Sequence, residues 1–252
     1  SRWNEGVAQV AVGGACTVAR STDGSVVMWG YNGEGECNVP VLPAGLTYDD
    51  VSAGGYHTVA RRSDGSFVAW GMNGYGQSNL PAPPAGLIYV EIEAGGAHTV
   101  ALCNDGSAVA WGYNFYGQRN VPPLPLGLTY VEISAGTSHN LGRRSDGSVV
   151  AWGWNAYGQC NVPTLPAGLT YVRVAAGNYH SAALRSDGSL VAWGLNGNGQ
   201  CVVPPLPAGV TYVGVAPGAS FTAALRRDGT IVAWGYCSVG ELNEPTLPVG
   251  LS

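Results

Sequence analysis

The chain has 252 residues, of which 46% are hydrophobic and only 11% are charged. Its eleven cations are all arginine, and its net charge of −5 argues against the basic surface that nucleic-acid binding requires, so we expect no nucleic-acid partner. No apolar run approaches the length of a transmembrane helix, so we expect no membrane insertion.

A Trp-Gly pair recurs six times at intervals of 41 residues, at Trp29, Trp70, Trp111, Trp152, Trp193 and Trp234. A fixed period of this length is typical of a repeat architecture, in which neighbouring units bury each other's apolar faces. We therefore divide the chain into a leader, 1–6, and a single domain, 7–252. Its six repeats are 7–47, 48–88, 89–129, 130–170, 171–211 and 212–252.

The second repeat shows the elements that we expect in every unit. Residues 48–53 alternate as a strand does, Gly54-Gly55 forms a turn, and a second strand begins at His57. The Asp64-Gly65 turn leads into a third short strand ending at Trp70, and residues 77–80 are predicted to form a fourth. Four short antiparallel strands per unit predict an all-β, six-bladed β-propeller. We expect the first and last blades to seal against each other and the protein to be a monomer.

The six cysteines do not form a regular disulfide framework. Equivalent cysteines in different repeats lie a whole unit apart, so free thiols are the favoured interpretation. Cys201 with Cys237 is the pairing that the repeat best permits, because they come from adjacent units. The first residues do not look like a signal peptide, so we expect either a cytosolic protein or the mature form of a secreted one, the second slightly favoured.

One compound motif covers almost the whole chain. In the third repeat it reads Gly95-Gly96-Ala97-His98-Thr99-Val100-Ala101-Leu102, then Asp105-Gly106, then Ala110-Trp111-Gly112-Tyr113-Asn114-Phe115-Tyr116-Gly117-Gln118. This motif resembles the regulator-of-chromosome-condensation repeat. The Gln-x-x-Val-Pro segment after the loop looks most like the bacterial propeller-type β-lactamase inhibitory protein. Such relatives typically have seven blades, so six repeats are a departure from their pattern.

Variable aromatic residues follow the Trp-Gly pairs. If the strands alternate in direction, these loops lie at the same end of each sheet as the turn before the histidines, and the Asp-Gly turns lie at the other end. The aromatic candidates for binding are Tyr75, Phe115, Tyr116, Trp154 and Tyr157, with Tyr56 and Tyr179 from the histidine turns. Packing between blades could account for some of them. Aromatic residues gathered in loops at one end of a scaffold also suit recognition.

Two polar columns change together along the repeats. The histidine column is His57, His98, His139 and His180, and the glutamine column is Gln77, Gln118, Gln159 and Gln200. Both are replaced in the first and last repeats, by Cys16 with Glu36 and by Phe221 with Glu241. The favoured interpretation is a structural contact, direct or through water, that satisfies backbone groups. The alternative is four equivalent binding pockets.

No motif predicts catalysis, a metal site or a cofactor. Histidines one blade apart cannot converge on one zinc ion, and the Asp-Gly turns lack the spacing of calcium ligands. Nucleophile elbows and phosphate loops are missing from the sequence. The leading hypothesis is a non-enzymatic scaffold that binds a protein partner through the aromatic loops. A multivalent lectin that binds glycans at repeated sites is the alternative, and a purely structural or engineered repeat is the third.

Overall fold

A computed structural model describes residues 6–236. The chain divides into two compact units, Ser1–Pro123 and Leu124–Ser252. Unit 1 contains β1 (Val7–Val12), β2 (Cys16–Ser21), β3 (Val26–Gly30), β4 (Tyr48–Ala53), β5 (His57–Arg62), β6 (Phe67–Gly71), β7 (Tyr89–Ala94), β8 (His98–Cys103) and β9 (Ala108–Gly112). Unit 2 contains β10 (Tyr130–Ala135), β11 (His139–Arg144), β12 (Val149–Gly153), β13 (Tyr171–Ala176), β14 (His180–Arg185), β15 (Leu190–Gly194), β16 (Tyr212–Pro217), β17 (Phe221–Arg226) and β18 (Ile231–Gly235).

Each repeat forms one antiparallel sheet of three consecutive strands, giving six sheets in the described residues. The second and third strands of each sheet are joined by the Asp-Gly turn that the sequence predicts. In the second repeat the Gly65 amide donates to the carbonyl of Arg62, and the Asp64 carboxylate accepts the Ser66 amide at 2.9 Å. Gly65 has φ +81, a conformation that favours glycine over residues with a side chain.

The predicted fourth strand is wrong: residues 77–80 form a turn and an irregular segment. Their amides bond locally, from Asn79 to the carbonyl of Gly76 and from Leu80 to that of Ser78. The main-chain carbonyl of Gln77 accepts hydrogen bonds from two side chains of the next repeat, and not from the backbone of a neighbouring strand. With these backbone groups already occupied, the segment cannot join a ladder. The other three strands of the second repeat begin where the sequence predicts.

Neighbouring sheets within each unit pack face to face through small apolar clusters. One cluster in unit 1 joins Val18 of the first sheet to Tyr48, Val51, Ala60 and Trp70 of the second. The same columns supply the cluster between the second and third sheets, where Tyr89 and Trp111 lie with ring centroids 6.1 Å apart. Corresponding clusters join the sheets of unit 2. Trp70, Trp111, Trp193 and Trp234 thus fill the space between sheets, whereas Trp29 of the first repeat is 46% exposed.

The cysteines follow the favoured prediction as far as the structure describes them. Cys16, Cys37, Cys103, Cys160 and Cys201 are free thiols. Cys237, the partner considered for Cys201, lies outside the described residues. Most of the leader and the end of the sixth repeat, including Glu241, also lie outside them.

Candidate functional site

The loops after the Trp-Gly pairs are held in shape by their own hydrogen bonds. In the second repeat the Asn73 carboxamide accepts the Ser78 amide at 3.0 Å and donates to the side chain of Asn79 at 2.7 Å. The buried side chain of Gln77 accepts the Tyr75 amide at 2.9 Å. The Met72 amide donates to the carbonyl of Tyr56, which fixes the loop beside the histidine turn. Each loop therefore presents its exposed side chains from a preformed backbone.

Three cysteines take part in this loop framework. The sulfurs of Cys37, Cys160 and Cys201 each donate to the carbonyl oxygen six residues earlier, at 3.3–3.4 Å. Ser78 makes the same bond with its hydroxyl. Burial raises the pKa of Cys160 and of Cys201 to about 11, which keeps both thiols protonated and unreactive at neutral pH. This cysteine column is structural.

An aromatic cluster of four rings lies on the loops of unit 1. Tyr75 and Tyr113 have ring centroids 4.7 Å apart, and Tyr113 is stacked with Phe115 at 6.4 Å. Tyr116 contacts the Phe115 ring edge-on at 5.0 Å. Tyr75 is 53% exposed, Tyr116 42% and Phe115 77%. We call these four residues the unit 1 aromatic cluster.

Unit 2 has a smaller cluster of three rings. Trp154 contacts Tyr157 edge-on at 5.1 Å and Tyr179 at 5.4 Å. Tyr157 is exposed, whereas Trp154 and Tyr179 are half-buried. Tyr56, the remaining aromatic candidate, is exposed in its turn, and no ring contact joins it to the unit 1 aromatic cluster within the part of the chain described. The structure thus brings six of the seven aromatic candidates into ring contacts.

The histidine and glutamine columns meet at a buried hydroxyl rather than contacting each other directly. The Nε2 of His57 lies 2.9 Å from Thr99 Oγ1, and that hydroxyl donates to the main-chain oxygen of Gln77 at 2.8 Å. Because the hydroxyl proton is used in the second bond, Nε2 of His57 must carry the proton of the first. The Trp111 indole donates to the same Gln77 oxygen at 2.9 Å. One carbonyl thereby ties together two sheets and a loop.

The same arrangement recurs in unit 2. His139 contacts Ser181 at 2.9 Å and His180 contacts Thr222 at 2.8 Å. The Ser181 and Thr222 hydroxyls donate to the carbonyl oxygens of Gln159 and Gln200. In the first repeat Cys16 replaces the histidine, and its thiol lies beside the Thr58 hydroxyl of the second sheet. The shared hydroxyl therefore links the histidine column to the main-chain oxygen of the glutamine column. The change of the glutamine side chain to glutamate in the first repeat has no explanation in these bonds.

Burial makes the imidazoles resistant to protonation. All four histidines are fully buried, and their Nδ1 atoms have no hydrogen-bond partner within residues 6–236. Burial lowers the pKa of His57 to about 3, with a further lowering by nearby His98, and burial lowers that of His180 to about 4. A proton added at Nδ1 would be a buried, unpaired charge. These neutral imidazoles are structural donors.

The eight column residues lie in the interior, where no partner at the surface can contact them. His57, His98, His139, His180, Gln77, Gln118, Gln159 and Gln200 are all at most 1% exposed. The sequence had nominated them as binding candidates, and their burial agrees with the structural interpretation that it favoured. Two residues of the loop were not among the binding candidates. Tyr113 follows a Trp-Gly pair, is half-buried and belongs to the unit 1 aromatic cluster, and exposed Arg119 lies in the same loop. A comparison of Arg119 with its repeat column would have drawn attention to it.

Other kinds of site find little support in the described residues. No group of three or more histidine, cysteine, aspartate or glutamate side chains in residues 6–236 could hold a metal ion. None of these residues belongs to a helix long and apolar enough to cross a membrane.

Comparison with known proteins places these features in a family context. The family model described as the regulator of chromosome condensation (RCC1) repeat matches residues 48–77, 89–118, 130–159 and 171–200. Each match runs from the first strand of a repeat to its buried glutamine. No curated protein matches the chain significantly in sequence.

Several solved structures share the fold. Prp20p from Saccharomyces cerevisiae, a structure described with its binding properties to Gsp1p and histones, has a TM-score of 0.78 and 23% identity. That match covers 93% of this chain and 72% of Prp20p. Human WBSCR16 has a TM-score of 0.77 and 19% identity, covering 92% of this chain and 77% of that one. The ectodomain of the Arabidopsis thaliana receptor kinase ACR4 has a TM-score of 0.70 and 22% identity, with 95% and 85% covered. Together with the six sheets and the four matched repeats, these similarities show that the chain is a β-propeller built from repeats of the regulator-of-chromosome-condensation type.

Proposed function

We propose that this protein is a non-catalytic recognition scaffold that binds a protein partner through the unit 1 aromatic cluster. The observation that carries the proposal is the exposure of Phe115, which is 77% accessible. The same column holds Gly33, Gly74, Ala156 and Gly197 in the other described repeats. The loop therefore does not need a large side chain here. An exposed phenyl ring on a preformed loop suits a partner that covers it.

The neighbouring rings make Phe115 a rigid anchor. Tyr113 stacks with it and Tyr116 contacts its edge, so its position is restrained before any partner arrives. Aromatic anchors that are already ordered lose little conformational entropy on binding. The Tyr116 amide is in turn held by the buried side chain of Gln118, at 2.9 Å. Because the rings are held in place, they suit a specific protein interface better than nonspecific hydrophobic binding.

Arg119 adds a charge to the same loop. Its column elsewhere contains Cys37, Ser78, Cys160 and Cys201, all of which donate a loop hydrogen bond. Arg119 is instead exposed. Arginine beside aromatic rings is the composition of interface hot spots. We expect the partner to bring an apolar side chain to Phe115 and a carboxylate to Arg119.

The relatives support protein binding at a coarser level. The yeast protein Prp20 is known in a structure bound to Kap60, a match with a TM-score of 0.76 and 22% identity over 94% of this chain and 70% of that one. A lectin is not proposed, because it depended on histidine and glutamine side chains that are fully buried.

The test replaces the two unusual residues by those of other repeats. Phe115→Gly and Arg119→Ser restore the residues of the second repeat, Gly74 and Ser78, so both variants should fold normally. Partners captured by the whole chain are identified, and their affinities are then measured by calorimetry. We expect Phe115→Gly to weaken binding at least 30-fold, about 2 kcal/mol, and Arg119→Ser to weaken it less.

Ala156→Gly changes the same loop column in unit 2 and is the matched control. It should leave the affinity unchanged. A partner that binds wild type and Phe115→Gly equally would show that the interface lies elsewhere.

A further inference from the structure

The opposite end of the sheets of unit 2, where the Asp-Gly turns lie, contains a second departure from the repeat. In four repeats the first residue of this turn accepts a hydrogen bond, through its side-chain oxygen, from the backbone amide of the residue sixteen positions earlier. These residues are Ser63, Asn104, Ser145 and Ser186, at 3.1–3.2 Å from the amides of Thr47, Ile88, Thr129 and Thr170. The sixth repeat has Arg227 at this position, and a guanidinium cannot accept a hydrogen bond.

Arg227 reverses the direction of the interaction with residue 211. Its Nε donates to the Thr211 hydroxyl at 3.2 Å. No side chain within residues 6–236 caps the Thr211 amide, and no ion pair there involves the Arg227 guanidinium. The substitution therefore exchanges an acceptor for several hydrogen-bond donors and one positive charge.

These donors border a groove of about 350 Å³ in unit 2, lined by residues that include Arg185, Asp187, Thr211, Tyr212 and Arg227. Arg185, at the end of β14, brings a second guanidinium, which also interacts with the Tyr171 hydroxyl and the Asp187 carboxylate. The Asp187 carboxylate accepts the Ser189 amide at 2.9 Å and is the acidic group of the lining. Two guanidiniums and one carboxylate leave the groove with one net positive charge.

We propose that this groove binds a carboxylate group, with Arg227 and Arg185 as its main ligands and the Thr211 amide as a further donor. A guanidinium matches the two oxygens of a carboxylate. The single net charge suits a monoanion, and Asp187 disfavours a phosphate dianion. The carboxylate could belong to a small organic acid or to the C-terminus of a peptide, since both present the same group.

The experiment titrates the whole protein with sodium acetate while chloride keeps the ionic strength constant, and follows the backbone amides by NMR. We expect saturable shifts at Thr211 and the neighbouring amides. Arg227→Ser should weaken acetate binding at least tenfold. Serine occupies this position in three other repeats, so the variant should fold and regain the missing cap. Non-saturable shifts, or equal affinity in Arg227→Ser, would overturn the proposal.

Two further variants separate the site from general charge effects. Arg144→Gln removes the same arginine column one repeat earlier and should leave acetate affinity unchanged. Asp187→Asn keeps an acceptor for the Ser189 amide but removes the negative charge, so acetate should bind several-fold more tightly. An equal loss of affinity in Arg144→Gln and Arg227→Ser would show only nonspecific attraction and contradict the site.

Other anions identify the source of the carboxylate. Phosphate at neutral pH should bind more weakly than acetate, and tighter phosphate binding would contradict the monoanion assignment. A short peptide that binds more tightly than acetate, but not once its C-terminus is amidated, supports the site with a peptide terminus as its ligand. Equal affinity for acetate and the free peptide supports it with a small acid.

Discussion

At the scale of single residues, Glu36 is the clearest conflict between the sequence and its environment. It is fully buried in the glutamine column, where its Oε2 accepts the Glu34 amide at 3.0 Å. Its Oε1 has no partner in the described part of the chain. A buried carboxylate is costlier than a buried carboxamide unless a cation pairs with it.

We therefore predict that Glu36→Gln stabilises the protein. The free energy of unfolding at neutral pH should rise by about 1–2 kcal/mol, because an unpaired buried carboxylate is costlier than the unpaired carboxamide that Gln77, Gln159 and Gln200 place at the same column. Urea denaturation measures the change. Gln77→Glu places the same carboxylate in the second repeat and should lower stability by a similar amount. A neutral effect of Glu36→Gln would mean that water or another group already satisfies this carboxylate.

At the scale of the element, the buried hydroxyls link neighbouring sheets. The hydroxyl of Thr99, in β8, accepts a hydrogen bond from the His57 imidazole of the preceding sheet and donates one to the main-chain carbonyl of Gln77 in the loop. Three segments of the unit depend on one side chain. The strength of this link is testable because another repeat uses serine, Ser181, at the same position.

We predict that Thr99→Val costs about 1–3 kcal/mol of stability, since it leaves the His57 Nε2 proton buried without an acceptor. Valine preserves the shape of threonine, so the loss reports mainly the hydrogen bonds. Thr99→Ser keeps the hydroxyl and should cost less than half as much. Urea denaturation of both variants compares them directly. An equal loss in the two would contradict the prediction, because it would mean that the hydroxyl contributes no more to stability than the methyl group that serine lacks.

The elements also show how far sequence reasoning could go. Alternation and the Asp-Gly turn predicted three strands of the second repeat, because those signals depend on neighbouring residues alone. The fourth strand failed at Gln77, whose carbonyl is occupied by Thr99 and Trp111 of the following repeat. Contacts between residues 22 and 34 positions apart leave no local pattern. The common change of the histidine and glutamine columns was visible, but the hydroxyl between them was not.

The proposed binding surface could also be predicted only in part from the sequence. Aromatic loop residues were identifiable from their position after Trp-Gly, and six of the seven candidates make ring contacts. The sequence could not show which side chains of a loop face inward, and so it grouped buried Gln118 with exposed Phe115. Departures from a repeat column proved the better guide. Arg119 and Arg227 each replace a residue whose side chain makes a loop or turn hydrogen bond in other repeats, and Phe115 replaces a glycine or an alanine.

At the scale of the whole molecule, the 41-residue period runs through both compact units, and each contains three sheets with the same internal contacts. That residues 7–252 close into a single domain stays a prediction. The period also repeats each buried histidine at an equivalent place, two in either unit. The response of one buried histidine to pH is therefore multiplied along the chain, and we expect the stability of the protein in acid to show it.

Histidine in the unfolded chain takes up a proton below its ordinary pKa of about 6.5. Folded His57 and His180 stay neutral until about pH 3 and about pH 4. Between these limits the unfolded state binds more protons, so the free energy of unfolding falls as the pH is lowered. The loss is about 1.4 kcal/mol per pH unit for each of these two histidines. The turn aspartates, such as Asp64, have pKa values lowered below 3.8 by their serine hydrogen bonds and lose their contribution only in stronger acid.

Urea midpoints measured from pH 7 to pH 4.5 should therefore decline steadily, within a range where the turn aspartates are silent. The control is the double variant His57→Phe with His180→Phe, since Phe221 already occupies this column in the sixth repeat. It should be less stable at pH 7, because two buried hydroxyls lose their imidazole donors, yet its stability should depend less on pH by the share of two histidines. If the double variant loses stability as steeply as wild type, the acid sensitivity comes from groups other than these two imidazoles. The change of stability with pH, and not the stability at any one pH, decides whether these two imidazoles cause the acid sensitivity.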